Sequence, residues 1–178
     1  QSRSPYHEHI IGNMFISVLD SYAVTPIPGA QTEWLKAVLS NDTMLNPLKH
    51  RFAVYHASAY PVIRQELKGI TSNIRKLWVP LFEQYNFKAV FENHYHALME
   101  SHPIRNNTID PTGVRYLGSG AWGLTPRGSL YTDAWYAEKV ASLAHVFVSS
   151  CTAESCLVRT VPYDTTAHAS NVISTHTL

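Results

Sequence analysis

The chain holds 178 residues with a formal net charge of +1, 45% of them hydrophobic and only 15% charged. That length suits one domain with a core of its own, so residues 1–178 are predicted to form a single unit. A charge so near zero, with no Lys/Arg run, gives no footprint for nucleic acid. No stretch reaches the roughly 18 consecutive apolar residues of a membrane-spanning helix. The chain opens Gln1-Ser2-Arg3-Ser4 rather than with methionine, as expected of a processed form or a piece in which a removed leader leaves no trace.

In chain order, the first apolar run, residues 14–19, is short and β-branched and predicts a buried strand. After a Pro/Gly-rich loop at 25–29, Trp34, Leu35, Val38 and Leu39 fall at helical spacing and predict a helix over 31–39. Residues 52–55 read as a second strand that ends at His56. A helical period from Val62 to Tyr85 follows, with Pro80 expected to kink or restart it. Residues 87–91 read as a third strand, leading directly into Glu92-Asn93-His94-Tyr95-His96. Strand, helix, strand, helix, strand implies parallel pairing with crossover helices. Beyond Ser101, short strands around 114–117, 143–148, 156–161 and 171–178 predict an antiparallel meander that adds to the first sheet or packs on it.

Three features point to the secretory pathway. Asn41-Asp42-Thr43 and Asn106-Asn107-Thr108 fit the N-glycosylation acceptor, which requires an exposed loop. Cys151 and Cys156 are the only cysteines, and turn-prone residues between them suit a disulfide across a hairpin loop in an oxidising compartment. A secreted, extracellular or lumenal location is expected.

The chain carries ten histidines. His94 and His96 lie two apart just past a hydrophobic strand, and in an extended segment such residues point to one side. His56 ends what should be a neighbouring strand. Ligand-binding groups of such sheets gather past the carboxyl ends of the strands. Three imidazoles converging there make a ligand set for zinc, iron or manganese. His7 and His9 share the spacing but flank no apolar strand. His50, His102, His145, His168 and His176 read as ordinary surface or strand residues. There is no Gly-X-Ser-X-Gly nucleophile elbow, P-loop or dinucleotide fingerprint. Gly118-Ser119-Gly120 reads as a tight loop near the histidines.

The order of these segments carries a resemblance. Gly12-Asn13-Met14-Phe15-Ile16-Ser17-Val18-Leu19-Asp20-Ser21 comes first, then Gln31 with Trp34-Leu35. Tyr55-His56, Phe91-Glu92-Asn93-His94-Tyr95-His96 and Gly120-Ala121-Trp122-Gly123 follow. From about Tyr6 to Leu178 the chain resembles the carboxyl-terminal half of a calcineurin-like metallophosphoesterase, nearest the purple acid phosphatases. The resemblance implies an α/β fold, a mixed-sheet sandwich flanked by helices in four αββα layers. It implies a site for two divalent or trivalent metal ions (Fe, Zn or Mn) that hydrolyses phosphate esters. His56 and His94 would bind one ion and His96 the other. The remaining ligands, including a bridging carboxylate, belong to motifs before residue 1. An amino-terminal half of the same precursor, or a partner chain, is therefore expected to complete the site, and this chain alone is not expected to be active. Leu98-Met99-Glu100 departs from the family pattern, and Glu100 turned toward a phosphate site would repel substrate. The alternative is a catalytically inactive, phosphoesterase-like structural subunit of a larger extracellular or organellar assembly.

Overall fold

The computed structural model describes residues 4–22, 24–63, 67–162 and 172–178. Its first half contains β1 (His7–Ile11), β2 (Met14–Val18), α1 (Ala30–Leu39), α2 (Asp42–Leu45), β3 (His50–Val54), α3 (Lys68–Leu77), α4 (Val79–Gln84) and β4 (Ala89–Glu92). There follow β5 (Leu98–Ser101), β6 (Ile104–Arg105), β7 (Thr108–Ile109), β8 (Arg115–Gly118), β9 (Ala137–Ala141), β10 (His145–Cys151), β11 (Cys156–Pro162) and β12 (Ser174–Thr177). Seven strands form one mixed sheet in the order β1-β2-β3-β4-β8-β5-β9. Within it β2, β3, β4 and β8 run parallel, as the alternation of strands and helices requires for the first three. A second, antiparallel sheet holds β10-β11-β12.

The strands show why both faces of the large sheet are covered. Phe15, Ala53, Val90 and Tyr116 pack with Leu35, Leu39, Ile74, Trp78 and Phe82 of the helices. Their neighbours Ile16, Phe52, Ala89, Phe91 and Leu117 pack instead against Cys156 and Val158 of the small sheet. Period-two alternation thus sends successive side chains into two cores, helices on one side and a sheet on the other. Each large side chain buried in this way stabilises the fold by about 1.5–3 kcal/mol. The second core is tied by polar groups as well. Glu100, 1% exposed on β5, accepts hydrogen bonds from Thr160 on β11 and from Ser174 and His176 on β12. Burial alone would raise its pKa, but the bonds from His176, Ser174 and Thr160 hold it down at about 2.

Several expectations are corrected here. Of the helical period predicted from Val62, the described residues Val62 and Ile63 form a bend after Pro61, and α3 is helix from Lys68. As expected of Pro80, the helix restarts after Trp78, with Pro80 in the first turn of α4 where a missing N–H does no harm. The strand at 115–118 joins the large sheet parallel to β4 instead of entering the meander, which comprises β10 to β12 alone. His7 and His9 lie on a strand after all, the fully exposed β1, whose lack of buried residues hid it. His50, His145 and His176 lie on strands, as read, and are buried there, each with a polar partner: Thr152 O, Leu143 O and Glu100. His168 and Asn171 lie outside the described residues, as do residues 64–66 of the predicted helix. Leu98, Met99 and Glu100 are buried in β5, so Glu100 faces the small sheet and not a substrate.

The disulfide is as expected: Cys151 and Cys156 are bonded and pair across the β10–β11 hairpin. Asn41 caps the N-terminus of α2, its side chain accepting from Met44 N–H, and is exposed. Asn106 and Asn107 form the two-residue turn between β6 and β7, at φ 51° and 58° as a type I′ turn demands. Among the described residues no helix is long and apolar enough to cross a membrane.

Candidate metal centre

The carboxyl ends of β2, β3, β4 and β8 open into four loops that are laced together by hydrogen bonds. After β3, Tyr55 N–H still donates to Phe91 O, continuing the ladder by one residue. The chain beyond β4 then folds around a single carbonyl: His56 O accepts from Asn93 N–H at 3.0 Å and His94 N–H at 2.8 Å. Asn93 reinforces this with its side-chain amide on Tyr55 O. From β2, Ser21 Oγ accepts from Ala57 N–H at 2.6 Å. Asp20 accepts from the amides of Tyr22, Val24 and Thr25, and its backbone exchanges two bonds with the Gln31 side chain of α1. From β8, Ser119 N–H donates to Glu92 O. Gly120, at φ +100°, passes so close that a Cβ there would lie 1.5 Å from Asn93 O and 3.3 Å from the His96 ring. Only glycine fits that approach. The tight loop expected beside the histidines is therefore real.

This lacing brings His56 and His94 together, with His56 Nε2 2.9 Å from His94 Nδ1. One of the two nitrogens carries a proton and the other a lone pair. Burial lowers the His56 pKa, and the nearby His96 lowers it further by like-charge repulsion. His56 is thus biased toward the neutral form that a metal ligand requires. The Tyr22 ring lies over both, 5.3 Å from His56 and 5.2 Å from His94 by ring centroids. His96 turns at φ +47°, with its carbonyl held by Arg127 N–H.

Glu92 is a site residue that sequence reasoning did not single out. It is fully buried, and Oε1 accepts from the Tyr55 hydroxyl at 2.8 Å and from Ala59 N–H at 2.7 Å. It thereby pins the loop that carries His56 to the strand that carries His94. Burial raises its pKa to about 7, against the opposing pull of those hydrogen bonds. A charged residue closing an apolar strand was the available signal. Arg75 of α3 adds a brace, donating to Ala59 O and lying over the Tyr60 ring.

The fit to metal is partial. Two imidazole ligands of one zinc-sized ion stand about 3.4 Å apart at tetrahedral angles, so the His56–His94 pair needs only a small rotation to share an ion. Among the described residues no carboxylate reaches them. Glu92 faces inward onto Tyr55 and Ala59, and Asp20 is turned to the loop amides. Among the described residues no group of three His, Cys, Asp or Glu side chains is arranged to hold an ion. The residues present supply part of one shell, not a two-metal centre.

This architecture, a mixed sheet with helices on one face and histidine loops at its carboxyl edge, is the α/β fold of the calcineurin-like metallophosphoesterases. It is shared with the purple acid phosphatase PPD1 of yellow lupin (Lupinus luteus) at a TM-score of 0.80 and 12% identity, over 97% of this chain and 32% of that one. GAP50, described as the anchor in the inner membrane complex of Plasmodium, matches at a TM-score of 0.68 and 12% identity, over 97% of this chain and 52% of its own. PhoD matches at 0.67 and 12%, over 97% and 41%. In sequence, an uncharacterised Mycobacterium tuberculosis protein is 32% identical over 77 residues, 43% of this chain. A 1,3-alpha-isomaltosidase of Kribbella flavida is 26% identical over 116 residues, 63% of this chain. The chain spans 14% and 15% of the length of these two relatives. No protein-family model matches it.

Proposed function

We propose that this chain is the carboxyl-terminal part of a metal-dependent phosphoesterase domain. His56 and His94 serve one ion and His96 a second, and carboxylates from an amino-terminal segment or a partner chain complete the site. The observation that carries this reading is the convergence of His56 and His94 at 2.9 Å, past the ends of adjacent parallel strands, in a fold shared with phosphatases. Bound ions of the Fe, Zn or Mn type would supply Lewis acidity toward the oxygens of a phosphate ester. The chain's own contribution is positional. Glu92 and the His56 carbonyl fix the two histidine loops against each other, Gly120 packs close against Asn93 and the His96 ring, and the Tyr22 ring lies beside the pair. The disulfide and the exposed Asn41 and Asn106 support a secreted or lumenal protein glycosylated at both asparagines.

A second reading has its own observation. The ligand set among the described residues is incomplete, and GAP50 combines the same fold with a name that describes an anchor. In that reading the chain is a structural subunit without turnover. Metal analysis of the natively purified protein, with everything that co-purifies, separates the two. Two ions per chain, phosphate-ester hydrolysis, and loss of both in His94→Ala are expected for the phosphoesterase. A metal-free protein whose properties are unchanged by His56→Ala and His94→Ala would overturn it and leave the structural role.

A further inference from the structure

The parallel strands that end in histidine loops begin among cations. Arg51 is the second residue of β3, Lys88 immediately precedes β4, and Arg115 opens β8. Backbone bonds set the three side by side: Lys88 N–H donates to Arg51 O at 2.8 Å, and Arg115 N–H donates to Lys88 O at 3.3 Å. With Lys49 they line a cavity of about 630 Å3 in which no lining side chain is acidic and the one anionic group is the backbone carboxylate of Leu178. In a chain with 14 Lys and Arg and a net charge of +1, four cations around one cavity is a concentrated field.

The compensating groups are few. Arg115 pairs with Glu138, and Lys49 stands 4.0 Å from Glu154 at the solvent-facing rim. Arg51 donates one guanidinium nitrogen to Tyr85 O at 2.9 Å and the other to Leu45 O at 3.1 Å, which orients its charge without neutralising it. Its third donor, Nε–H, is buried with no acceptor. A buried cationic donor without a partner is uncommon in folded proteins and calls for an acceptor. That atom lies out of reach of a ligand in the cavity, so what draws an anion there is the combined field of the four cations. Arg51 is fixed and only weakly hydrated, and each of its terminal nitrogens keeps a second N–H for an oxygen of a phosphate or sulfate group.

We propose that this cavity binds a compact multivalent oxyanion of the phosphate type. Arg51 would be the inner donor, Lys88 and Lys49 the outer ones, and the Thr112 hydroxyl a neutral one. The site lies at the opposite end of the strands from the histidines and does not depend on them.

Calorimetric titration of inorganic pyrophosphate into the full chain tests this, at low salt with a chelator present so that histidine-bound metal plays no part. One-site binding is expected, weakened about tenfold or more by Lys88→Glu and weakened also by Lys49→Glu, and lost as salt is raised. The double variant His56→Ala/His94→Ala should bind as the unmodified chain does, which separates this proposal from the function proposed above. Both lysine variants keep the Arg51 hydrogen bonds to Tyr85 and Leu45, and circular dichroism confirms that they fold. No measurable binding, binding unaltered in both lysine variants, or binding that disappears with the histidines would each overturn the proposal.

Discussion

Two glutamates on consecutive strands are buried almost equally, and they are driven in opposite directions. Glu92 at the end of β4 is 0% exposed and Glu100 on β5 is 1% exposed. Glu92 is pushed up to about 7, whereas Glu100 is held down at about 2. Burial raises both; what differs is the set of donors. Around Glu100, two hydroxyls and an imidazole share both oxygens, and the imidazole can carry charge. At Glu92, the Tyr55 hydroxyl and the Ala59 amide converge on one oxygen, and Ser58 and the Tyr60 amide add their pull; all four donors are neutral. A saturated carboxylate is a fastening between two sheets. One held only by neutral donors in full burial is poised to change protonation, and it sits behind the histidine loops.

The strongest way to break this comparison is Glu100→Ala. It strands three donors from two strands of the small sheet and should lower unfolding stability by about 3 kcal/mol or more. An unchanged urea midpoint would show that water replaces the carboxylate. Gly120→Ala should come next, at about 2–3 kcal/mol, since it combines an unfavourable φ with a clash on Asn93 O. Its damage should fall on the histidine loops, read as changed His94 and His96 ring resonances. Reducing the Cys151–Cys156 bond should remove about 2 kcal/mol through the small loop it closes. That effect should add to Glu100→Ala less than fully, because both act on the small sheet.

Titration sharpens the same contrast. The folded pKa of Glu100 lies below its ordinary 4.5, so its stabilisation is present above pH 4.5 and drains away as pH falls toward about 2. The folded pKa of Glu92 lies above 4.5, so its contribution is complete below pH 4.5 and is lost as pH rises through about 7. Denaturation midpoints followed across pH 2–8 in chelator should show both limbs. Glu100→Gln should remove the acid limb. Glu92→Gln should flatten the decline toward neutrality with the smallest change in midpoint, and a slope left intact would refute the assignment.

The parts of the fold legible in the sequence were those with local signatures. β2, β3 and β4 are covered on both faces and read as apolar runs, and the histidines past β3 and β4 follow from strand ends. β1 carries His7, Glu8 and His9 with nothing buried, so no pattern marked it. β5 hid for the opposite reason: Glu100 looks like a surface residue until Thr160, Ser174 and His176 arrive from far along the chain. The site divides in the same way. His56 and His94 were visible as endings of strands, while Glu92 and Tyr22 acquire their roles only from loops that other strands bring alongside.

The same loops leave an optical handle. Trp78 is 0% exposed, with its indole N–H bonded to Thr32, and its emission should lie far to the blue. Trp122 is 73% exposed, two residues past Gly120, and borders a cavity of about 530 Å3 together with Glu92, Asn93 and Ser119. Trp135, 44% exposed, and the half-buried Trp34 add to the red side of the emission, so it is the part lost with Trp122 that reports on the histidine loops, while the blue edge reports on the core. The difference between the unmodified chain and Trp122→Phe isolates the loop signal, so that loading of the site and loosening of the domain could be followed by one kind of measurement.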